Sequence, residues 1–484
     1  MALVSFSGLA SGIDSDALIE ATSDATRAGR VVPYEKQVAE LEDTNTSLEE
    51  LTTKLISLQS TIRGFASMNG GPIAKQATSS NESVLAATAS NAAINSSYNV
   101  TVNQMARNGV YSFSTSDQAT YPWNSYSSVI NGAIIPGAPA ADRTVTIDIG
   151  NGSETIDIVL SNTTTLSNFV NEFNATATMA TASIINLGSA SAPQYQIMIS
   201  SHNEGVDEGI INVSRGSELQ LKHLFGSASD PDSYYAEQVA QNAEFTIEGI
   251  DGTITRQSNT VSDLITGVTF QLNSVSATAV KVTVSTYADT TAETVQGFVD
   301  AYNEIIEYLA ENNLIERKEE KGKVTIEFSP LAKTRVDDSI LSALRTQIAS
   351  TKADNPTAVA IFADLGITTE RNGNLKFNSA TFKKALADEP ESVKEIMQKF
   401  ADAVSLTGGT IDQFVRFNGL IDVTITANKT SITNLNERIA RAEELIAKQA
   451  ETMKKRFTNL EMIMGRMQSQ QQSLISVLGL DGRN

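Results

Sequence analysis

Residues 432–474 read ITNLNERIARAEELIAKQAETMKKRFTNLEMIMGRMQSQQQSL. Within them Ile432, Ile439, Ile446, Met453, Leu460, Met467 and Leu474 stand seven positions apart. Leu435, Ala442, Ala450, Phe457, Met464 and Leu478 fill most of the places three or four residues further on. A repeat of this kind keeps one apolar line facing a partner helix, because 3.5 residues per turn returns each seventh residue to the same side. The partner is expected in the same chain. Leu41, Leu48, Leu55 and Ile62 form one ladder near the N-terminus, and Leu51, Leu58 and Phe65 a second, offset by three. Residues 13–50 carry ten acids against three bases, and residues 429–466 eight bases against five acids, so opposite charge favours pairing the two ends with each other. Glu437–Arg441, Glu444–Lys448 and Glu451–Lys455 are Glu-first i,i+4 pairs that mark a solvated flank, each adding ~0.2–0.5 kcal/mol to an isolated helix. Met453, Met462, Met464 and Met467, with the Gln-rich run 468–473, make a weakly specified seam that orders best when docked.

Working inward, Asp14 is a natural N-cap, with Ala17, Leu18 and Ala21 as the apolar stripe of a first helix. Pro33 stops or kinks that helix, and a longer one runs from about Tyr34 to Phe65, ended by Gly70-Gly71-Pro72. From about Ala74 to Thr286 the chain turns Ser/Thr/Asn-rich, with β-branched residues in alternation. Tyr98–Val102, Thr144–Ile149, Thr155–Leu160, Tyr195–Ile199 and Val280–Ser285 read as strands. Gly150–Ser153 reads as a hairpin loop, and Leu166–Phe173 as a short helix with Phe169, Val170 and Phe173 on one face. A loop at Asp230-Pro231-Asp232 precedes a second β block, 243–286. Tyr98–Val102 lacks a neighbour of its own and is expected to pair with that block, leaving the segment between as an insertion. Residues 291–406 read as mostly helical. Val295, Phe298, Val299, Tyr302, Ile305 and Ile306 form one core stripe, and Leu341, Leu344 and Ile348 mark a second helix. Leu375–Phe377 reads as a strand after a turn, and 381–400 as one further helix. The fold class is α+β and multidomain, three or four domains at about 100–150 residues each.

A net charge of −20 argues against nucleic acid or an anionic membrane as partner. With no cysteine there is no disulfide framework and no thiol chemistry. The first twelve residues lack the basic and continuous apolar regions of a cleaved signal peptide, and no run of about 18 apolar residues predicts a membrane span. Composition alone reads as cytosolic, although export without a cleaved signal would look the same. His202 and His223 sit in no catalytic motif. Asp14 with Asp16, and Asp337 with Asp338, are better explained as helix-opening residues than as paired carboxylates for acid–base or metal work. No enzyme activity, metal or cofactor is expected.

Phe6–Ile19, Tyr98–Ala106, Val295–Ile306, Leu365-Gly-Ile, Asn372–Phe377, Phe382–Leu386 and the run from Arg456 through Gln468–Ser473 together resemble the flagellar filament-capping, or hook-associated protein 2, family. The resemblance implies nested domains: 1–42 with 420–484 as a terminal coiled coil, 43–73 with 287–419 as a helical leg, 74–112 with 237–286 as a β-rich head, and 113–236 as an inserted outer head. Leu41, Leu48, Leu51, Leu55, Leu58 and Ile62, with the C-terminal ladder, would be the coiled-coil and filament-contact seam. It also implies an extracellular cap at the filament tip, exported by the flagellar type III route without a cleaved signal. Partners would be flagellin, hook–filament junction proteins, an export chaperone, and copies of itself in a ring of five, with four or six as alternatives. Two other readings remain open: a different axial or junction protein, or an adhesin whose β-rich domains bind mucin or glycans.

Overall fold

Asp14 opens the first helix, α1 (Ser15–Arg30), its carboxylate accepting the Ala17 N–H at 3.0 Å. Val31 keeps right-handed helical angles, but Pro33 has no N–H to continue the ladder, so a separate helix α2 (Val32–Arg63) starts with Pro33 in its first turn. Gly64, not the later Gly70-Gly71-Pro72, ends α2, and Phe65 and Ala66 turn inward just past it. The computed structural model describes residues 12, 14–66, 70–115, 122–130, 137–215, 235–320 and 323–477. The chain divides into two compact units, 73–288 and 1–72 with 289–484.

The unit 73–288 begins with β1 (Lys75–Ser79), β2 (Leu85–Ala89), β3 (Ser96–Gln104) and β4 (Val110–Phe113). Then come β5 (Thr144–Ile149), β6 (Glu154–Val159), helix α3 (Leu166–Thr176), β7 (Ala180–Asn186), β8 (Tyr195–Ser201) and β9 (Ile211–Arg215). It closes with β10 (Tyr235–Gln238), β11 (Ala243–Ile247), β12 (Ile254–Arg256), β13 (Thr260–Ile265), β14 (Val268–Leu272) and β15 (Val280–Thr286). As its missing neighbour required, β3 lies between β15 and β11 in the sheet β1-β15-β3-β11-β12. The sheet β13-β14-β2 shares its core, which Val100, Val102, Phe245, Phe270 and Val282 fill. Between these strands in sequence, the sheets β10-β4-β8-β7 and β6-β5-β9 enclose a second core with α3. Phe113, Trp123, Phe169 and Phe173 are its large members, and the Trp123 indole N–H donates to the Ile130 carbonyl at 3.2 Å. The β5–β6 turn carries Gly150, Asn151 and Gly152 at positive φ, the conformation a tight hairpin asks of Gly and Asn. The Asp230–Asp232 loop and His223 lie outside the described residues.

The other unit adds α4 (Ala288–Asn312), a hairpin of β16 (Ile315–Glu320) and β17 (Lys323–Phe328), α5 (Val336–Ser350), and a small pair β18 (Ile367–Thr369) and β19 (Leu375–Phe377). Helices α6 (Ser379–Asp388), α7 (Pro390–Ser405), α8 (Asp412–Val415) and the 58-residue α9 (Leu420–Val477) complete it. Val295, Phe298, Val299, Tyr302, Ile305 and Ile306 of α4 are all buried, as are Leu48, Leu51, Leu55, Leu58 and Ile62 of α2. Edge-on aromatic contacts join Phe65 to Phe298 and Phe298 to Phe400, with centroids 6.2 and 5.5 Å apart.

The helical unit departs from the sequence reading at three further places. The single helix over 381–400 is two helices, because Pro390 opens α7 after Glu389 leaves helical geometry at φ −140°. The zone read as mostly helical also contains the β16–β17 hairpin, whose dense charge hides a strand alternation of Val324, Ile326 and Phe328. In α5, Ile340 takes the buried position on the core side, and Leu341 is half-buried.

Candidate functional site

The two chain ends do meet. Asn428 Nδ2 donates to Asn45 Oδ1 at 2.9 Å, and Arg27 reaches Glu443 at 3.3 Å, so α1 and α2 together run antiparallel to α9. From Ile432 onward the partly or fully buried line on α9 is Ile432, Leu435, Ile439, Ala442, Ile446, Ala450, Met453 and Phe457, continued by Glu461 and Met464. Leu460, Met467 and Leu474 fall off this line and are 43%, 61% and 59% exposed. The reason is geometric. A straight α-helix drifts about 20° per heptad against a seven-residue repeat, so over six heptads the ladder rotates by about 120°. The inward residues therefore switch to spacings nearer 3.6, and the last ladder members face outward. On α2, Leu48 through Ile62 are buried, whereas Leu41 is half-buried beside a groove.

The apolar stripe expected on α1 is turned around. Ala17, Leu18 and Ala21 face outward, Leu18 with 48% of its surface exposed, and Ser15, Ile19, Ser23 and Thr26 lie on the covered side. The electrostatic expectation also needs correction. The ion pair joining the two ends uses an N-terminal base and a C-terminal acid, Arg27 with Glu443, against the overall charge balance. Glu35 and Glu443 together hold the Arg27 guanidinium more firmly protonated, Glu35 most strongly. The three Glu-first pairs form as spaced, at 3.4 Å for Glu437–Arg441, 2.6 Å for Glu444–Lys448 and 2.8 Å for Glu451–Lys455. Lys448 and Lys455 pull the carboxyls of Glu444 and Glu451 below their usual range.

Between α2, α9 and residues 333–334 lies an open groove of about 460 Å³ that the sequence did not announce. Leu41 and Leu435 line it with Gln37, Lys333, Asn434 and Arg438. The places seven residues before Leu51 and Leu435 are polar, Thr44 and Asn428, and both line it. Elsewhere, exposed His202 hydrogen-bonds Thr181 Oγ1 at 2.7 Å and the Thr178 carbonyl at 3.1 Å. Among the described residues no three His, Asp or Glu side chains are grouped to hold a metal ion, and no helix is long and apolar enough to cross a membrane.

An interrupted head region carried between two ends that pair as antiparallel helices now has a match in known proteins. A model of the flagellar hook-associated protein 2 N-terminus matches residues 11–109, and one of its C-terminus matches residues 240–469. This chain belongs to the flagellar hook-associated protein 2 family. It is 26% identical over 502 residues to the A-type flagellar hook-associated protein 2 of Pseudomonas aeruginosa, covering 98% of each chain. It is 27% identical to flagellar hook-associated protein 2 of Campylobacter jejuni, covering 85% of this chain and 68% of that one. The crystal structure of the D1-D2-D3 domains of the flagellar cap protein FliD from Escherichia coli superposes with TM-score 0.58 at 20% identity, over 79% of this chain and 99% of that one. That likeness establishes the fold, an α+β multidomain architecture. The family membership decides against another axial protein, and the adhesin reading gains no support from these hook-associated relatives.

Proposed function

We propose that this chain is the structural cap at the distal tip of a flagellar filament, where it promotes insertion and polymerisation of exported flagellin. The carrying observation is the family match at both ends of the chain. Around it stands a helix, α9, whose last third leaves Leu460, Met462, Ile463, Met467 and Leu474 exposed. In this reading α9 beyond Phe457 is the part of the ladder that meets the filament, and the earlier part holds the chain's own ends together. The four-part division, 1–42 with 420–484, 43–73 with 287–419, 74–112 with 237–286, and 113–236, supplies a terminal coiled coil, a leg and two heads.

The cap works as a homo-oligomeric ring, five subunits being the favoured number, outside the cell. It reaches the tip through the flagellar type III channel, attended by a chaperone beforehand, and meets flagellin and the hook–filament junction proteins there. A disulfide-free chain suits such threading. The work is done by non-covalent contacts that break and re-form, and no bond chemistry is required. The test uses Leu460→Lys with Met467→Lys in cells lacking the native gene. Both side chains are exposed, so the variant should be exported and melt within about 2 °C of the parent. Filaments should be absent or stunted by electron microscopy. Filaments of full length would sink the assignment of this seam.

A further inference from the structure

The acid excess at the N-terminal end, conspicuous in the sequence, is only partly consumed by the fold. On α1, Asp16, Glu20 and Asp24 have no hydrogen-bond or ion-pair partner among the described residues, and they flank the outward stripe Ala17, Leu18 and Ala21. The groove between α2 and α9 has the complementary character. Leu41 and Leu435 supply apolar surface, and Arg438 stands at it without an ion-pair partner among the described residues. Lys333 sits at the same rim, held by Glu40 at 2.7 Å and lying over the Phe328 ring at 5.0 Å. Gln37 and Asn434 are further polar groups along the groove.

We propose that the outward face of α1 of one copy docks into the α2–α9 groove of a second copy, Leu18 over Leu41 and Leu435, with Glu20 and Asp24 toward Arg438 and Lys333. This is an amphipathic helix laid in a groove, with the charges setting orientation and partner choice. The two surfaces are different parts of one chain, so the contact is head-to-tail and passes from copy to copy, as a closed ring or an open array requires. Its size sets its strength. A 16-residue helix is about 24 Å long and about 10 Å wide, giving about 240 Å² per partner against about 800 Å² in a standard stable interface. One such contact is therefore weak, and assembly depends on its repetition.

The absence of cysteine makes the test clean. Full-length chains carrying Ala21→Cys or Asn434→Cys, both exposed positions, are kept reduced and then oxidised at high concentration, each alone and the two mixed. A disulfide-linked pair of one chain of each kind, formed only in the mixture, supports the contact. Linkage of either variant to itself as readily, or no linkage in the mixture, overturns it. Independently, Arg438→Glu should weaken self-association in sedimentation about tenfold, and adding Glu20→Arg to the same chain should restore it. A chain that assembles like the parent despite Arg438→Glu, or a parent that stays monomeric at every concentration, also overturns it. These readouts are in solution, so a filament-growth defect with normal self-association would refute this contact and leave the cap function standing.

Discussion

Asp337 is a carboxylate in the wrong surroundings for its charge. It sits in the first turn of α5 with 2% of its surface exposed, Asn313 Nδ2 donates to Oδ2 at 2.5 Å, and Oδ1 has no partner among the described residues. Burial pushes its carboxyl above the ordinary aspartate range. The folded chain then keeps this proton to a higher pH than the unfolded chain does. Its contribution to stability is therefore greatest below the ordinary aspartate value and declines as pH rises through the raised one. Asp337→Asn retains an acceptor for Asn313 and removes the charge. It should raise the melting temperature at pH 7, and the gain should vanish below about pH 4. Melting curves of both proteins across that range decide it, and a lower melting point for the variant at neutral pH would mean the ionised form is the favoured one there. Sequence reading placed Asp337 at the helix opening but could not see its burial, because burial is set by Asn313 at the end of a different helix. Asp14 was legible in full, since a cap is a local contact between residues three apart.

At the level of elements, α9 separates what a repeat says from what a helix does. The seven-residue ladder correctly marked a long helix with an apolar line, and the charge pairs on its flank formed where their spacing put them. It could not say how long that line would stay covered, which depends on helix twist and on where the facing helix ends. The consequence is measurable. Ile439→Ala, at a half-buried place against the N-terminal helices, should cost about 1–2 kcal/mol, less than a fully buried Ile because part of the side chain already meets water. Leu460→Ala, seen as an equal ladder member in sequence, should change stability by less than about 0.5 kcal/mol. Denaturant melts of the two variants compare them directly, and equal losses would show that Leu460 is covered as Ile439 is. The same limit explains the missed joint at Pro390. Apolar spacing runs through it, so periodicity reads one helix where a single residue's missing N–H makes two.

For the whole molecule, nesting was the most legible long-range feature, and it followed from one strand. Tyr98–Val102 had no sequence neighbour, so it had to borrow one from the far block, and β3 does lie between β15 and β11. The α2–α9 groove was illegible for the opposite reason: it joins residues near 40, 333 and 435, each ordinary in its own surroundings. Closure of the nested unit has a thermodynamic consequence. Its first and last strands pair from Lys75↔Thr286 to Ser79↔Val282, so the chain enters and leaves this unit at adjacent points of one ladder. Paired residues on neighbouring strands lie about 4.5–5.5 Å apart at their Cα atoms. A few Gly residues can therefore replace 73–288 without stretching the flanks, and loop closure adds little cost because it grows only with the logarithm of length. Residues 73–288 alone should unfold cooperatively, with the two cores of Phe245 and Phe270 and of Phe113 and Trp123 intact. The complementary chain, with a Gly linker in their place, should keep the helical signal of α2, α4 and α9. Circular dichroism and calorimetry on both pieces test this. Loss of the cooperative transition in either would mean that the two units fold only together.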